Sequence, residues 1–196
     1  RGGLGRLNLV ARSTSRLQAL AETIRRESPR AAVAMDTDVD AGIRDADVIV
    51  TCTTSGGGIL RPESLKPGCV VCDVAVPHDV CREVAQLRPD VLVIEGGVVE
   101  APGEARFNFD FGFPEGICLA CMAETMTLAL EGRFEDFSIG RGLEIEKVEE
   151  IQRLASRHGF RLAGFRAFDE PITTERIEQV RSLARDRRRG LRVISS

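Results

Sequence analysis

Hydrophobic positions along the chain follow two regimes. In the first half, short and almost wholly apolar runs (Leu7–Val10, 31–35, 47–52, 70–74 and 91–94) are separated by polar or amphipathic stretches. Runs of this length bounded by turn residues predict β-strands. Because they do not alternate with polar residues, burial on both faces is expected, as in a parallel sheet flanked by helices. After the first run, Thr14 or Ser15 is placed to cap a helix through Glu27 that carries Leu17, Leu20, Ala21 and Ile24 on one face. A helical turn is expected over 40–44. The segment from Asp45 to Thr51 (Asp-Ala-Asp-Val-Ile-Val-Thr) reads as the strand by which a nucleotide-binding sheet passes from its adenine half to its nicotinamide half.

The second half changes period. From Arg106 to Phe113 the sequence alternates strictly, which would put Phe107, Phe109, Phe111 and Phe113 on one face of a strand, as a cover for the core or a wall for an acyl chain. Helices are then expected over 118–130, 144–157 and 174–188, with Gly132 and Gly159 as stops. The predicted fold class is α/β, a doubly wound parallel sheet (Rossmann-like) followed by C-terminal helices. Residues 1–166 are assigned to a cofactor-binding and catalytic domain, and 167–196 to a helical, Arg-rich extension.

Composition narrows the function. The 196 residues are 43% hydrophobic and 29% charged, with net charge -3, an ordinary globular balance. No apolar stretch reaches the ~18 residues of a membrane span, and the opening residues lack a signal-peptide core, so a cytoplasmic protein is expected. The absence of tyrosine excludes the Tyr-x-x-x-Lys proton relay of short-chain dehydrogenases. Arginines cluster at both ends. With no aromatic residue after Phe168 to stack on bases, a nucleic-acid partner is not expected.

Six cysteines include two Cys-x-x-Cys spacings, Cys69/Cys72 and Cys118/Cys121. The first lies in a predicted strand, where residues three apart point to opposite faces and cannot share a metal. No metal site is expected, and reduced thiols are the default.

A dinucleotide-binding fold requires Gly-x-Gly-x-x-Gly between its first strand and helix. Gly2-Gly3-Leu4-Gly5 precedes a strand, and Gly56-Gly57-Gly58 follows one without opening a clear helix. The chain is therefore expected to lack its first βα unit and to be a fragment, inactive in isolation. At the next strand tip, Ala11-Arg12-Ser13-Thr14 carries no acidic residue for a ribose 2′-hydroxyl, and Arg12 with Ser13 suits a 2′-phosphate. NADPH is the expected cofactor.

The richest chemistry is Cys118-Leu-Ala-Cys121-Met-Ala-Glu124-Thr-Met, expected at the front of a helix with both cysteines on one face. A helix N-terminus favours a nucleophilic thiolate. A thiolate beside a nicotinamide suggests thioester formation followed by hydride reduction to an aldehyde.

These residues resemble a family. Ala120-Cys-Met-Ala-Glu-Thr-Met126, Leu130-Glu131, Phe137-Ser-Ile-Gly-Arg141, Val148-Glu-Glu-Ile151 and His158-Gly-Phe-Arg161 look like the C-terminal half of the cyanobacterial long-chain acyl-(acyl-carrier-protein) reductases. Leu9-Val-Ala-Arg12, Ala46-Asp-Val-Ile-Val50 and Glu95-Gly-Gly-Val-Val-Glu100 match upstream, in order and with near-equal spacing. The resemblance implies an NADPH-dependent reductase making fatty aldehydes from acyl-carrier-protein or acyl-CoA thioesters. The family's nucleophile falls on Cys121 rather than Cys118, and Thr125 stands for its serine. Where the family has a lysine after Tyr-Pro, this chain has Val76-Pro77-His78, so that basic position is not carried over.

The resulting expectation is a thioester on Cys121, proton transfer assisted by His78, and NADPH near Thr53, Thr54, Gly96 and Gly97. His158 is expected to cap a helix C-terminus, and Glu124 to orient the site or to sit on the helix surface. The alternatives are another NADP-dependent oxidoreductase of the same sheet type, related to shikimate or glutamyl-tRNA reductases, and a non-catalytic dinucleotide-binding module.

Overall fold

A computed structural model describes residues 5–194 except Val76, Phe111, Arg141 and Asp169, with side chains as far as Arg187. The glycines at 2 and 3, Phe111, Arg141 and the tail side chains beyond 187 therefore lie outside the described residues. The chain divides into two compact units, 1–94 with 173–196, and 95–172.

In the first unit, strand β1 (Leu7–Val10) pairs in parallel with β2 (Val33–Asp36), and β3 (Val48–Thr51) pairs in parallel with β4 (Val70–Asp73). Strand β5 (Leu92–Glu95) lies on the far side of β4. Among the described residues β1 pairs with β2 alone and β3 with β4 alone. Among the described residues each thus keeps one edge without a strand.

Helix α1 (Thr14–Glu27) ends at the expected residue but begins earlier than expected, because its cap is Ser13 rather than Thr14 or Ser15. The Ser13 hydroxyl accepts the Arg16 N–H at 3.4 Å, and Arg25 and Arg26 complement the dipole in the last turn. Leu17 and Ala21 are buried, while Leu20 stays half exposed. The short α2 (Val39–Ile43) is capped by Asp38, which accepts the Ala41 N–H at 3.2 Å. It packs closely on β1 because Gly42 has no side chain; a Cβ there would lie 2.5 Å from Val10 Cγ2.

The expectation of burial on both faces fails in β3. Ile49 and Thr51 are buried, but Val48 and Val50 are each 63% exposed. Successive residues of a strand face opposite ways, and only one face of β3 is covered by a described element. A run of β-branched residues, Val-Ile-Val-Thr, cannot reveal which face that will be.

Helix α3 (Arg82–Leu87) buries Val84, and the final helix α6 (Thr174–Ile194) buries Val180. The sequence boundary at 166 differs from this division, in which α6 groups with the first unit. Arg176 Nη2 donates to the carbonyls of Arg88 and Val91 at 3.3 and 3.2 Å. Gly68, at φ +78°, passes so close that a Cβ would lie 2.8 Å from the Ala184 nitrogen.

The second unit is a small antiparallel sheet with two helices. Strand β6 (Val98–Glu100) pairs with β7 (Ile117–Leu119) on one side and β8 (Arg161–Leu162) on the other. Helices α4 (Ala120–Leu130) and α5 (Ile145–Arg157) follow β7, and the short strands β9 (Arg166–Ala167) and β10 (Glu170–Pro171) form a hairpin. The core gathers Ala101, Cys118, Ala123 and Phe160, with Phe107, Met122 and Met126 packed against it.

The phenylalanine-rich segment is not a strand. Asn108 takes a left-handed φ of 54°, Gly112 takes 83°, and Asp110 accepts the Gly112 N–H at 2.8 Å, which turns the chain. Alternation alone did not register that Asn, Asp and Gly occupy the intervening positions. Phe107 joins the core, whereas Phe109 is 73% exposed.

Candidate active site

The carboxyl ends of β3 and β4 carry two buried carboxyl groups. Asp73, the last residue of β4, accepts the Thr51 hydroxyl at 2.9 Å, the Ala75 N–H at 3.0 Å and the Val80 N–H at 2.9 Å. Its Oδ2 also lies 3.6 Å from His78 Nδ1, and the His78 ring is half exposed. Asp79 is wholly buried. It accepts the Thr53 N–H at 3.0 Å, the Thr53 hydroxyl at 2.6 Å and the Ser55 hydroxyl at 3.0 Å.

Next comes the glycine loop. Gly56, Gly57 and Gly58 have φ of 89°, 111° and 65°, a run that side chains tolerate poorly. A Cβ on Gly57 would lie 3.1 Å from the His78 carbonyl oxygen, whereas those on Gly56 and Gly58 would meet nothing within 4 Å. Among the described residues, none of these three N–H groups donates a backbone hydrogen bond. A side-chain-free loop with open N–H donors at the carboxyl ends of a parallel sheet fits a dinucleotide. Thr54 is exposed in the same loop, and Arg12 is exposed just past the carboxyl end of β1, beside Ser13. These residues suit a phosphorylated ribose at one strand end and the remainder of the dinucleotide at the other.

In the second unit the paired cysteines separate. Cys118, expected on the helix, lies on β7 opposite Val99 and is wholly buried, and burial pushes its thiol up from the usual range. The helix begins two residues later, because Leu119 has extended geometry and Ala120 is the first helical residue. Cys121 falls in that first turn and is exposed. The two sulfurs therefore do not share a helix face.

Gly97, at φ +80°, accepts the Ala120 N–H through its carbonyl at 2.7 Å. Gly97, expected near the cofactor, thus abuts the helix start that carries Cys121. Farther along the helix, the Ser138 hydroxyl donates to Glu124 at 2.5 Å, and Thr125 donates to the Cys121 carbonyl at 3.1 Å. His158 is the C-cap of α5, with its N–H on the Leu154 carbonyl and its ring 2.5 Å from Glu131.

Arg12, Ser13, Thr53, Thr54 and His78 all belong to the first unit, and Gly96, Gly97 and Cys121 to the second. Sequence reasoning missed Asp73, Asp79 and Ser55. The available signal was a pair of aspartates six residues apart, bracketing Pro77 in an otherwise apolar segment. Among the described residues no three His, Cys, Asp or Glu side chains gather as metal ligands, and no helix is long and apolar enough to cross a membrane.

Residues 1–95 match the shikimate / quinate 5-dehydrogenase family. The first half is a Rossmann-like NAD(P)-binding domain. The chain is 32% identical over 164 residues to the long-chain acyl-[acyl-carrier-protein] reductase of Synechococcus elongatus, covering 81% of this chain and 46% of that protein. It is also 37% identical over 134 residues to the aminotransferase PigE of a Serratia species, covering 66% of this chain and 15% of that protein. The chain thus spans less than half the length of either relative.

Proposed function

We propose that this chain is the NADPH-binding and nucleophile-bearing part of an acyl-thioester reductase that releases an aldehyde. The observation that carries the reading is the exposed sulfur of Cys121 in the first turn of α4, three residues after a cysteine whose sulfur is sealed in the core. The similarity to the Synechococcus reductase, which extends beyond the dinucleotide-binding half, supports an acyl-carrier-protein thioester as substrate.

In this mechanism the Cys121 thiolate attacks the acyl carbonyl, and the carbon–sulfur bond to the carrier breaks. The departing carrier sulfur takes up one proton. Arg12 and Ser13 would hold the 2′-phosphate of the cofactor, and Thr53 and Thr54 of the same unit would frame the rest of it. When bound, a reduced nicotinamide would supply a hydride to the acyl carbon carried by Cys121. Expulsion of the sulfur then yields aldehyde and regenerates the thiolate. The balance is one thioester, one NADPH and one proton giving one aldehyde, one carrier thiol and NADP+.

A second reading, favoured by the family match over residues 1–95, is a ketone–alcohol dehydrogenase in which Cys121 has no part. The full-length protein, given an acyl-carrier-protein thioester and NADPH deuterated at C4, decides between them. Aldehyde bearing one deuterium at C1 is expected. Cofactor consumption with ketone substrates, and none with thioesters, would establish the second reading instead.

A further inference from the structure

We propose that Asp79 is the positioning residue of the cofactor loop, holding Thr53 to Gly58 in its binding shape through Thr53 and Ser55. The inference rests on the reading that this loop meets a nicotinamide dinucleotide. The Asp79 carboxyl group is wholly buried, and among the described residues its partners are neutral: one N–H and two hydroxyl groups. Burying a carboxyl group without a cation is costly unless its oxygens are well satisfied, and a purely structural position would be filled more cheaply by an apolar side chain.

All three side-chain bonds fall on the two residues that lead into the triple glycine. The backbone of Asp79 takes the other end, accepting the Ile59 N–H at 2.9 Å. One residue therefore fixes both ends of a loop whose glycines supply no side-chain packing of their own. Gly57 has the His78 carbonyl behind it, while Gly56 and Gly58 leave open space. Glycine loses the most conformational freedom on ordering, so an unheld run of three would have to be ordered at each binding event. Held by Asp79, the loop presents its N–H groups already arranged.

The test uses full-length protein and two readouts, NADPH affinity by fluorescence titration and acyl transfer to Cys121 in the absence of cofactor. Asp79→Asn puts an amide donor against the Thr53 and Ser55 donors, and should weaken NADPH binding about 10- to 100-fold, by more than it slows acyl transfer. Thr53→Val should act in the same direction and Thr53→Ser should bind as the unaltered protein does. Ser55→Ala should cost about 3- to 10-fold. If Asp79→Asn does not fold, the Thr53 and Ser55 variants decide alone. Unchanged NADPH affinity in folded Asp79→Asn, or in Thr53→Val and Ser55→Ala, would overturn the proposal. Failure of the unaltered protein to bind NADPH would overturn both this and the cofactor reading, whereas NADPH binding without acyl transfer would overturn only the thioester chemistry.

Discussion

The carbonyl of Gly97 lies 2.7 Å from the N–H of Ala120, the residue before Cys121. The bond closes the turn between β5 and β6 onto the first turn of α4, and Val98 pairs directly with Leu119 beside it. Gly97 sits at φ +80°, a conformation open to glycine and strained for other residues. Gly97→Ala should therefore slow acyl transfer to Cys121 by shifting the helix start, with a stability loss of about 1–3 kcal/mol from backbone strain. Acylation rates and urea melts of the same samples check both effects.

The six thiols should differ widely in reactivity. Burial pushes Cys69 up to about 11 and raises Cys118 and Cys72, whereas Cys52 and Cys121 are exposed. Iodoacetamide at neutral pH, followed by peptide mapping, should modify Cys121 and Cys52 first and Cys69 and Cys118 only on unfolding. Fast labelling of Cys118 in the folded protein would contradict its place on β7.

Much of this was legible in the chain itself. The end of α1 and the parallel first half follow from apolar runs, which are local signals, whereas the cap falls on Ser13 and not on Thr14 or Ser15. What escaped is set by tertiary context. Asn108 overrides the phenylalanine alternation by turning the chain. Val48 and Val50 face outward although their run is as apolar as a buried strand. Cys118 reads as helical because a good helix follows, yet its N–H and C=O neighbours belong to a strand ladder with β6. At the site, Cys121, Arg12 and the glycine loop were visible as residue types. Asp79 was not, since its role depends on contacts with Thr53 and Ser55 more than twenty positions away.

Cofactor choice should rest on Arg12. Arg12→Ala should lower affinity for NADPH about 10- to 100-fold, the worth of a charge-assisted bond to phosphate, with little change for NADH. Parallel titrations with the two cofactors read the ratio directly. An equal loss for both would remove Arg12 from phosphate recognition.

Stability should fall at acid pH through Asp90. Its side-chain bonds to Arg88, at 2.8 and 2.7 Å, hold its carboxyl below the usual carboxylate range. A carboxyl depressed in the folded state contributes stability above its unfolded value, near 4, and that contribution is lost as pH falls through the lower folded value. Urea melts should therefore show Asp90→Asn destabilised at pH 7 and nearly matched to the unaltered protein well below pH 4. A difference that persists at the lowest pH would assign the effect to packing.

The account stands most directly on where an acyl group becomes attached. Full-length protein mixed with radiolabelled acyl-carrier-protein thioester, without NADPH, should retain one acyl group per chain on the peptide containing Cys121. Cys121→Ala should retain none, and Cys52→Ala should label normally. Undiminished covalent labelling of Cys121→Ala, or labelling that maps to another cysteine, would contradict it.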